Sequence, residues 1–104
     1  MEPWMQIQGA CLTVTLPPEV DHPVSDRIRK ESDKILADRY VSTMVFDFQN
    51  TTFMDSSGIG LLMGRYKVLG MRSKSIRAVN VGSHVEKLLR LAGVHKYIEI
   101  CRQK

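Results

Sequence analysis

Apolar residues recur along the chain first with the spacing of strands and then with that of a helix. Residues 5–8 and 11–16 are two short segments around a Gly-Ala pair, and together they predict an opening β-hairpin. A pair of prolines ends the second segment. Helical spacing of apolar residues follows over residues 23–40, which predicts an amphipathic helix with Asp21 or His22 as its N-cap.

The second half of the chain continues this alternation of strands and helices. The near-continuous apolar run over residues 43–48 predicts a central strand buried on both faces, and apolar positions at helical spacing then continue to Gly70, a typical C-terminal stop. Residues 76–81 predict another strand. Ser83 and Glu86 have the spacing of a capping box at the start of a third helix.

A last edge strand is predicted over residues 97–101, which completes an α/β fold of one domain, residues 1–104. The expected architecture is a mixed four- to five-stranded sheet packed against three or more helices, with parallel inner strands. Loops at the carboxyl ends of such strands often carry function. Residues 19–22 and 51–57 each follow a strand, so we expect these two loops to share one surface.

Two glycines lie within the predicted second helix, Gly60 and Gly64. Each costs roughly 1 kcal/mol of helix stability relative to alanine. We therefore expect this helix to approach the sheet or a neighbouring helix closely at these positions.

The composition indicates a globular protein without a bound metal or cofactor. Hydrophobic residues make up 43% of the chain and charged residues 25%, and no apolar run reaches the roughly 20 residues that span a bilayer. We therefore expect a cytoplasmic location and no membrane partner. Cys11 and Cys101 have no close cysteine partner, so we expect reduced, partly buried thiols. The histidines lack the spacing of metal ligands, so we expect no bound metal.

Charge is distributed unequally between the two halves of the chain. Through Gly58 there are 5 basic and 9 acidic residues, and beyond it 10 basic and 2 acidic, giving net charges of −4 and +8. A basic half is a feature of nucleic-acid-binding proteins, but these basic residues form no run and few aromatic residues lie among them. A solvated face or a surface for an acidic protein is favoured, and nucleic-acid binding remains a third alternative.

Asp55, Ser56 and Ser57 form a turn at the start of the predicted second helix. Free N–H groups and the helix dipole favour anions there, so a serine in this turn either caps the helix or carries a phosphate. The G-x-S-x-G motif of hydrolases and the phosphate-binding P-loop are absent, and His22 is the only candidate base nearby. We therefore expect no catalytic residue and no enzymatic activity.

The sequence around this turn resembles a known family. Residues 53–62, FMDSSGIGLL, and residues 64–67, GRYK, closely resemble the signature of the anti-sigma factor antagonists, the bacterial branch of the STAS domain family. Residues 19–22, EVDH, resemble the first conserved loop of the family, and residues 91–94, LAGV, the segment that closes its third helix. The resemblance covers nearly the whole chain.

The resemblance implies a partner-switching regulator of transcription, of the sporulation or stress-response type. The unphosphorylated protein is expected to bind an anti-sigma factor that is also a serine kinase, releasing its sigma factor. The kinase then phosphorylates Ser57 and ends binding, and a serine phosphatase reverses the modification. The expected recognition surface consists of Glu19, Asp21, His22, Asp55, Ser56, Ser57 and Gly58.

Two points qualify this expectation. Pro18 stands where many relatives have glycine, and we expect it to stiffen or re-aim Asp21. In the alternative hypothesis, the domain is a non-switching scaffold or sensor subunit, and Ser57 is only a helix cap. Ser56 is expected to be a cap or a neighbour of the modified serine.

Overall fold

A computed structural model describes residues 1–103. Strands and helices follow one another along these residues. The strands are β1 (Met5–Gln8), β2 (Cys11–Thr15), β3 (Glu19–Val20), β4 (Thr43–Asp47), β5 (Phe53–Met54), β6 (Ile76–Val81) and β7 (Glu99–Arg102). The helices are α1 (His22–Asp38), α2 (Ser56–Val68) and α3 (Ser83–Leu91), followed by a 3₁₀ turn (Val94–Lys96). The hairpin and the three helices are confirmed, whereas β3, β5 and the 3₁₀ turn were not predicted because such short elements show no periodicity.

The five longer strands form a mixed sheet in the order β1-β2-β4-β6-β7. β1 and β2 are antiparallel, and each of the other neighbouring pairs is parallel. β4 therefore lies at the centre of the sheet, with parallel neighbours on both sides. The predicted sheet type and the position of its central strand are confirmed.

The core lies on one face of this sheet. Val14, Phe46 and Ala78 stand side by side in the register of the three central strands, and all are fully buried. They pack in one cluster with apolar side chains from all three helices. On the opposite face Val45 is only half-buried, so the prediction that β4 is buried on both faces is wrong. The alternation shows that the helices cover a single face.

The start of α3 differs from its prediction. Gly82 is the N-cap and makes no side-chain cap hydrogen bond. The carboxylate of Glu86 instead accepts hydrogen bonds from Arg90 at 2.7 Å and from Arg102 at 2.8 Å. The predicted capping box between Ser83 and Glu86 is wrong, because two guanidinium groups occupy the carboxylate that would have reached the helix end.

The glycines of α2 also differ from their prediction. A Cβ atom built on Gly60 or on Gly64 would meet nothing within 4 Å, so neither position brings α2 close to another element. The close approach is at Gly58, where a Cβ atom would overlap the Met54 side chain and lie 3.3 Å from Val20. The expected stop at Gly70 is confirmed, with a left-handed φ of 86°.

None of the helices formed by residues 1–103 has the length and apolar character needed to cross a membrane. Cys11 and Cys101 are free thiols and partly buried, as predicted.

Candidate functional site

A two-stranded parallel ribbon brings the two predicted loops together. β3 pairs with β5 so that Glu19 lies opposite Phe53, and Val20 lies opposite Met54. The carbonyl oxygen of Pro18 accepts hydrogen bonds from the backbone N–H groups just before and at the start of β5, at 2.9 and 3.2 Å. Since α1 and α2 begin directly after these strands, their N-termini emerge side by side. The expectation that the two loops share one surface is confirmed.

Asp21 is the N-cap of α1. Its carboxylate accepts a hydrogen bond from the backbone N–H of Val24 at 3.1 Å, and Pro23 occupies the first turn. His22 is the first residue of the helix and is exposed. Of the two predicted cap candidates, Asp21 is thus the N-cap, and His22 is not. Pro18 lies three residues before this cap.

Asp55 is the N-cap of α2. Its carboxylate accepts hydrogen bonds from the backbone N–H of Ser57 at 2.8 Å and from the hydroxyl of Ser57. These two bonds hold the pKa of Asp55 below its ordinary value, and the bond from the Ser57 hydroxyl is the larger cause. Ser56 is the exposed first residue of the helix. The capping role therefore belongs to Asp55, and neither serine is needed for it.

The hydroxyl of Ser57 joins α1 and α2. It donates to Asp55, and its oxygen lies 3.2 Å from the hydroxyl oxygen of Ser25, a buried residue of α1. Ser57 itself is partly buried, and Gly58 is buried beneath it against Met54. The sequence pattern did not identify Ser25, because an isolated serine in an amphipathic helix has no distinguishing spacing.

An ion pair between a buried arginine of α2 and a half-exposed aspartate of α1 joins the two helices farther from the turn. Arg65 is only 4% exposed, and its guanidinium donates to Asp33 at 2.5 Å and to Ser32 at 3.0 Å. Its Nε atom is buried without a hydrogen-bond partner. The burial of Arg65 was not predicted. Its position within the apolar repeat of the helix was the available indication that it is buried.

The predicted site residues lie at the paired starts of α1 and α2, with Gly58 buried among them. Glu19, His22 and Ser56 are exposed, and Phe53 exposes 46% of its surface beside Glu19. Within residues 1–103, no three His, Cys, Asp or Glu side chains are grouped closely enough to hold a metal ion. The arrangement brings together a partly buried serine hydroxyl, acidic groups and one exposed aromatic ring.

The comparisons with known proteins agree with the fold. The family model of the STAS domain matches residues 2–103. An anti-sigma F factor antagonist of Paenibacillus polymyxa is 33% identical over 96 residues, which are 92% of this chain and 82% of the relative. The structure of the anti-sigma factor antagonist SpoIIAA in its unphosphorylated form superposes with a TM-score of 0.81 at 25% identity, covering 92% of this chain and 84% of that chain.

A second solved structure shares the fold. The Bacillus cell fate determinant SpoIIAA in its phosphorylated form superposes with a TM-score of 0.72 at 24% identity, covering 92% of this chain and 87% of that chain.

The fold, the paired helix starts and the family match define a STAS domain, and the chain belongs to the STAS domain family. Its similarity is to the anti-sigma factor antagonists within that family.

Proposed function

We propose that this chain is an anti-sigma factor antagonist whose binding is switched by phosphorylation of Ser57. In the unphosphorylated state, the surface around Ser57 binds an anti-sigma factor that is also a serine kinase, and the bound sigma factor is released. Residues 1–104 act as a single STAS domain in this role. The single observation that carries the proposal is the position of the Ser57 hydroxyl between the starts of α1 and α2.

The division of roles in the turn supports Ser57 as the switch. In the alternative hypothesis of a non-switching scaffold or sensor, Ser57 serves as a helix cap. Asp55 already supplies the cap, since its carboxylate accepts from the backbone N–H of Ser57. The hydroxyl of Ser57 is therefore not needed to start α2, and a role in modification accounts for it better.

The chemistry of the switch follows from ordinary phosphoryl transfer. The Ser57 oxygen forms a bond to the γ-phosphorus of ATP, the bond from that phosphorus to the bridging oxygen of ADP breaks, and the hydroxyl proton goes to a base of the kinase. Positioning and charge stabilisation in this reaction come from the kinase. A serine phosphatase reverses the modification by adding water, which releases inorganic phosphate and restores the hydroxyl.

Phosphorylation would end binding by charge and size. The phosphate adds about −1.5 to −2 charges at pH 7, next to the Asp55 carboxylate and in the middle of the surface shared with the partner. Like-charge repulsion and loss of fit together need only about 1 to 3 kcal/mol to change affinity by roughly 5- to 150-fold.

Basic residues of the second half give little support to nucleic-acid binding. Arg65 pairs with Asp33, Arg77 with Glu99, and Arg102 with Glu86. Three of the ten basic residues of this half are thus held by carboxylates of the fold.

The experiment is incubation with the cognate serine-kinase anti-sigma factor and ATP, followed by peptide mass mapping and a binding titration. We expect one phosphate on Ser57, none on Ser57→Ala, and unchanged modification of the matched control Ser56→Ala. Ser57→Ala should remain bound in the presence of ATP, whereas Ser57→Asp should bind at least about 5-fold more weakly. Phosphorylation of Ser57→Ala to the wild-type extent would contradict the proposal.

A further inference from the structure

A depression of about 210 Å³ lies between α1 and α2 beside Ser57. Ser25, Asp26 and Arg29 line it from α1, and Ser57 and Gly60 line it from α2. The proposed phosphorylation site is therefore part of its wall. The volume is ample for a phosphoryl group.

The hydrogen bonds of Ser57 indicate which way an attached phosphate would point. The Ser57 oxygen has Asp55 on one side and the buried hydroxyl of Ser25 on the other. Once the oxygen is esterified it has no proton to donate to Asp55, and the carboxylate then repels the added negative charge. Ser25 has a hydroxyl that donates to phosphate oxygens. The phosphate is thus directed away from Asp55 and into the depression.

Arg29 supplies positive charge at the same place. It follows Ser25 by one helical turn, and its guanidinium now lies 2.8 Å from Asp26 and 3.6 Å from Asp33. Asp26 is also held by Lys30 at 2.9 Å, so it keeps a cationic partner if Arg29 turns to the phosphate. A guanidinium group matches the geometry of phosphate oxygens and binds them with two hydrogen bonds.

Gly60 leaves room on the opposite wall. It has open space where a side chain would begin, and packing gives no reason for a glycine there. A helical side chain leans toward the preceding turn, so any larger residue at position 60 would lie over Ser57. The glycine keeps the entrance to the depression open.

We propose that this depression is the binding site for the phosphoryl group on Ser57, with Ser25 and Arg29 as its donors and Gly60 providing the space. The inference rests on the proposed function, in which Ser57 is the residue modified. The phosphate then folds onto α1 rather than projecting from the surface. Phosphorylation thereby fills the cleft between the two helices and changes the shape of the surface that a partner meets.

The test uses phosphoserine placed at position 57 during translation, so it does not depend on any kinase. The second pKa of phosphoserine, ordinarily about 6, is followed by ³¹P NMR titration. Histidine side chains change charge in the same range, so every variant carries His22→Gln. The charged or titratable groups around the phosphate are His22, Asp26, Arg29 and Asp55. With His22 replaced throughout, the variants differ in charge only at Arg29.

We expect Arg29→Gln to raise this pKa by about 0.5 pH unit, because a nearby cation favours the dianion. Gly60→Leu should raise it similarly by closing the depression. Gly64→Leu is the matched control, since it adds the same side chain to an equally open position of the same helix, and it should leave the pKa unchanged.

Equal pKa values in all variants would overturn the phosphate site, and so would a response to Arg29→Gln without a response to Gly60→Leu. A response to Gly64→Leu equal to that of Gly60→Leu would also overturn it, since the effect would not come from the depression. Failure of the kinase to modify Ser57 is a separate result, and it contradicts the proposed function instead.

Discussion

The three glycines of α2 predict opposite responses to the same substitution. Alanine at Gly60 or Gly64 enters open space and removes the conformational cost of glycine in a helix, a gain of roughly 0.5 to 1 kcal/mol. Alanine at Gly58 would bring at most the same gain. Its Cβ atom, however, overlaps the side chain of Met54, which is 4% exposed and has little room to move.

Overpacking of this kind costs about 1 to 3 kcal/mol. Subtracting the gain in helix propensity leaves a net loss of about 1 kcal/mol for Gly58→Ala. The two kinds of position therefore differ by about 2 kcal/mol, or roughly 8 to 16 °C in Tm at the 4 to 8 °C per kcal/mol typical of domains of this size. Urea and thermal unfolding followed by circular dichroism measure this difference directly.

A double-mutant cycle identifies the cause. In a Met54→Ala background the overlapping side chain is gone, so Gly58→Ala should become neutral or stabilising there. The reasoning is refuted if Gly58→Ala alone is as stable as Gly60→Ala, or if its cost is the same with and without the Met54 side chain. Either result would mean that the contact with β5 does not determine the requirement for glycine.

Two further predictions concern ion pairs. Asp33→Ala should lower the free energy of unfolding by about 2 kcal/mol, because it leaves the buried Arg65 charge without a carboxylate. Arg65→Met should lower the free energy of unfolding by less, and Asp38→Ala is the exposed control on the same helix. Equal effects of all three substitutions in urea denaturation would contradict the argument. Arg102 foremost lowers the pKa of Glu86, so this carboxylate stabilises the fold above the ordinary glutamate pKa, and the contribution is lost as pH falls through the lowered value. Glu86→Gln should therefore show a smaller fall in Tm than the wild type between pH 6 and pH 3, and parallel curves would contradict this.

The elements predicted correctly from sequence are those whose stability is decided locally or by a long repeat. The parallel inner strands, a cap of α1 at Asp21 or His22 and the stop of α2 at Gly70 all follow from periodicity and from the preferences of single residues. The predictions failed where a tertiary contact outweighed a local preference. Glu86 bonds to an arginine 16 residues away instead of capping α3, because that partner is visible only once β7 lies beside the helix.

The same distinction explains how the site itself could be anticipated. Asp55 and Ser57 are two residues apart in sequence, so their relation was accessible from the pattern, although the assignment of the cap to Asp55 required the structure. Ser25 and Arg29 are about 30 residues from Ser57, and the pairing of β3 with β5 brings their helix beside it. The sequence therefore predicts where a phosphate would be attached, while the groups that surround it depend on a ribbon of two-residue strands too short to leave a pattern. The proposed switch depends on both, because the local turn would select the serine and the neighbouring helix would determine where the added charge lies.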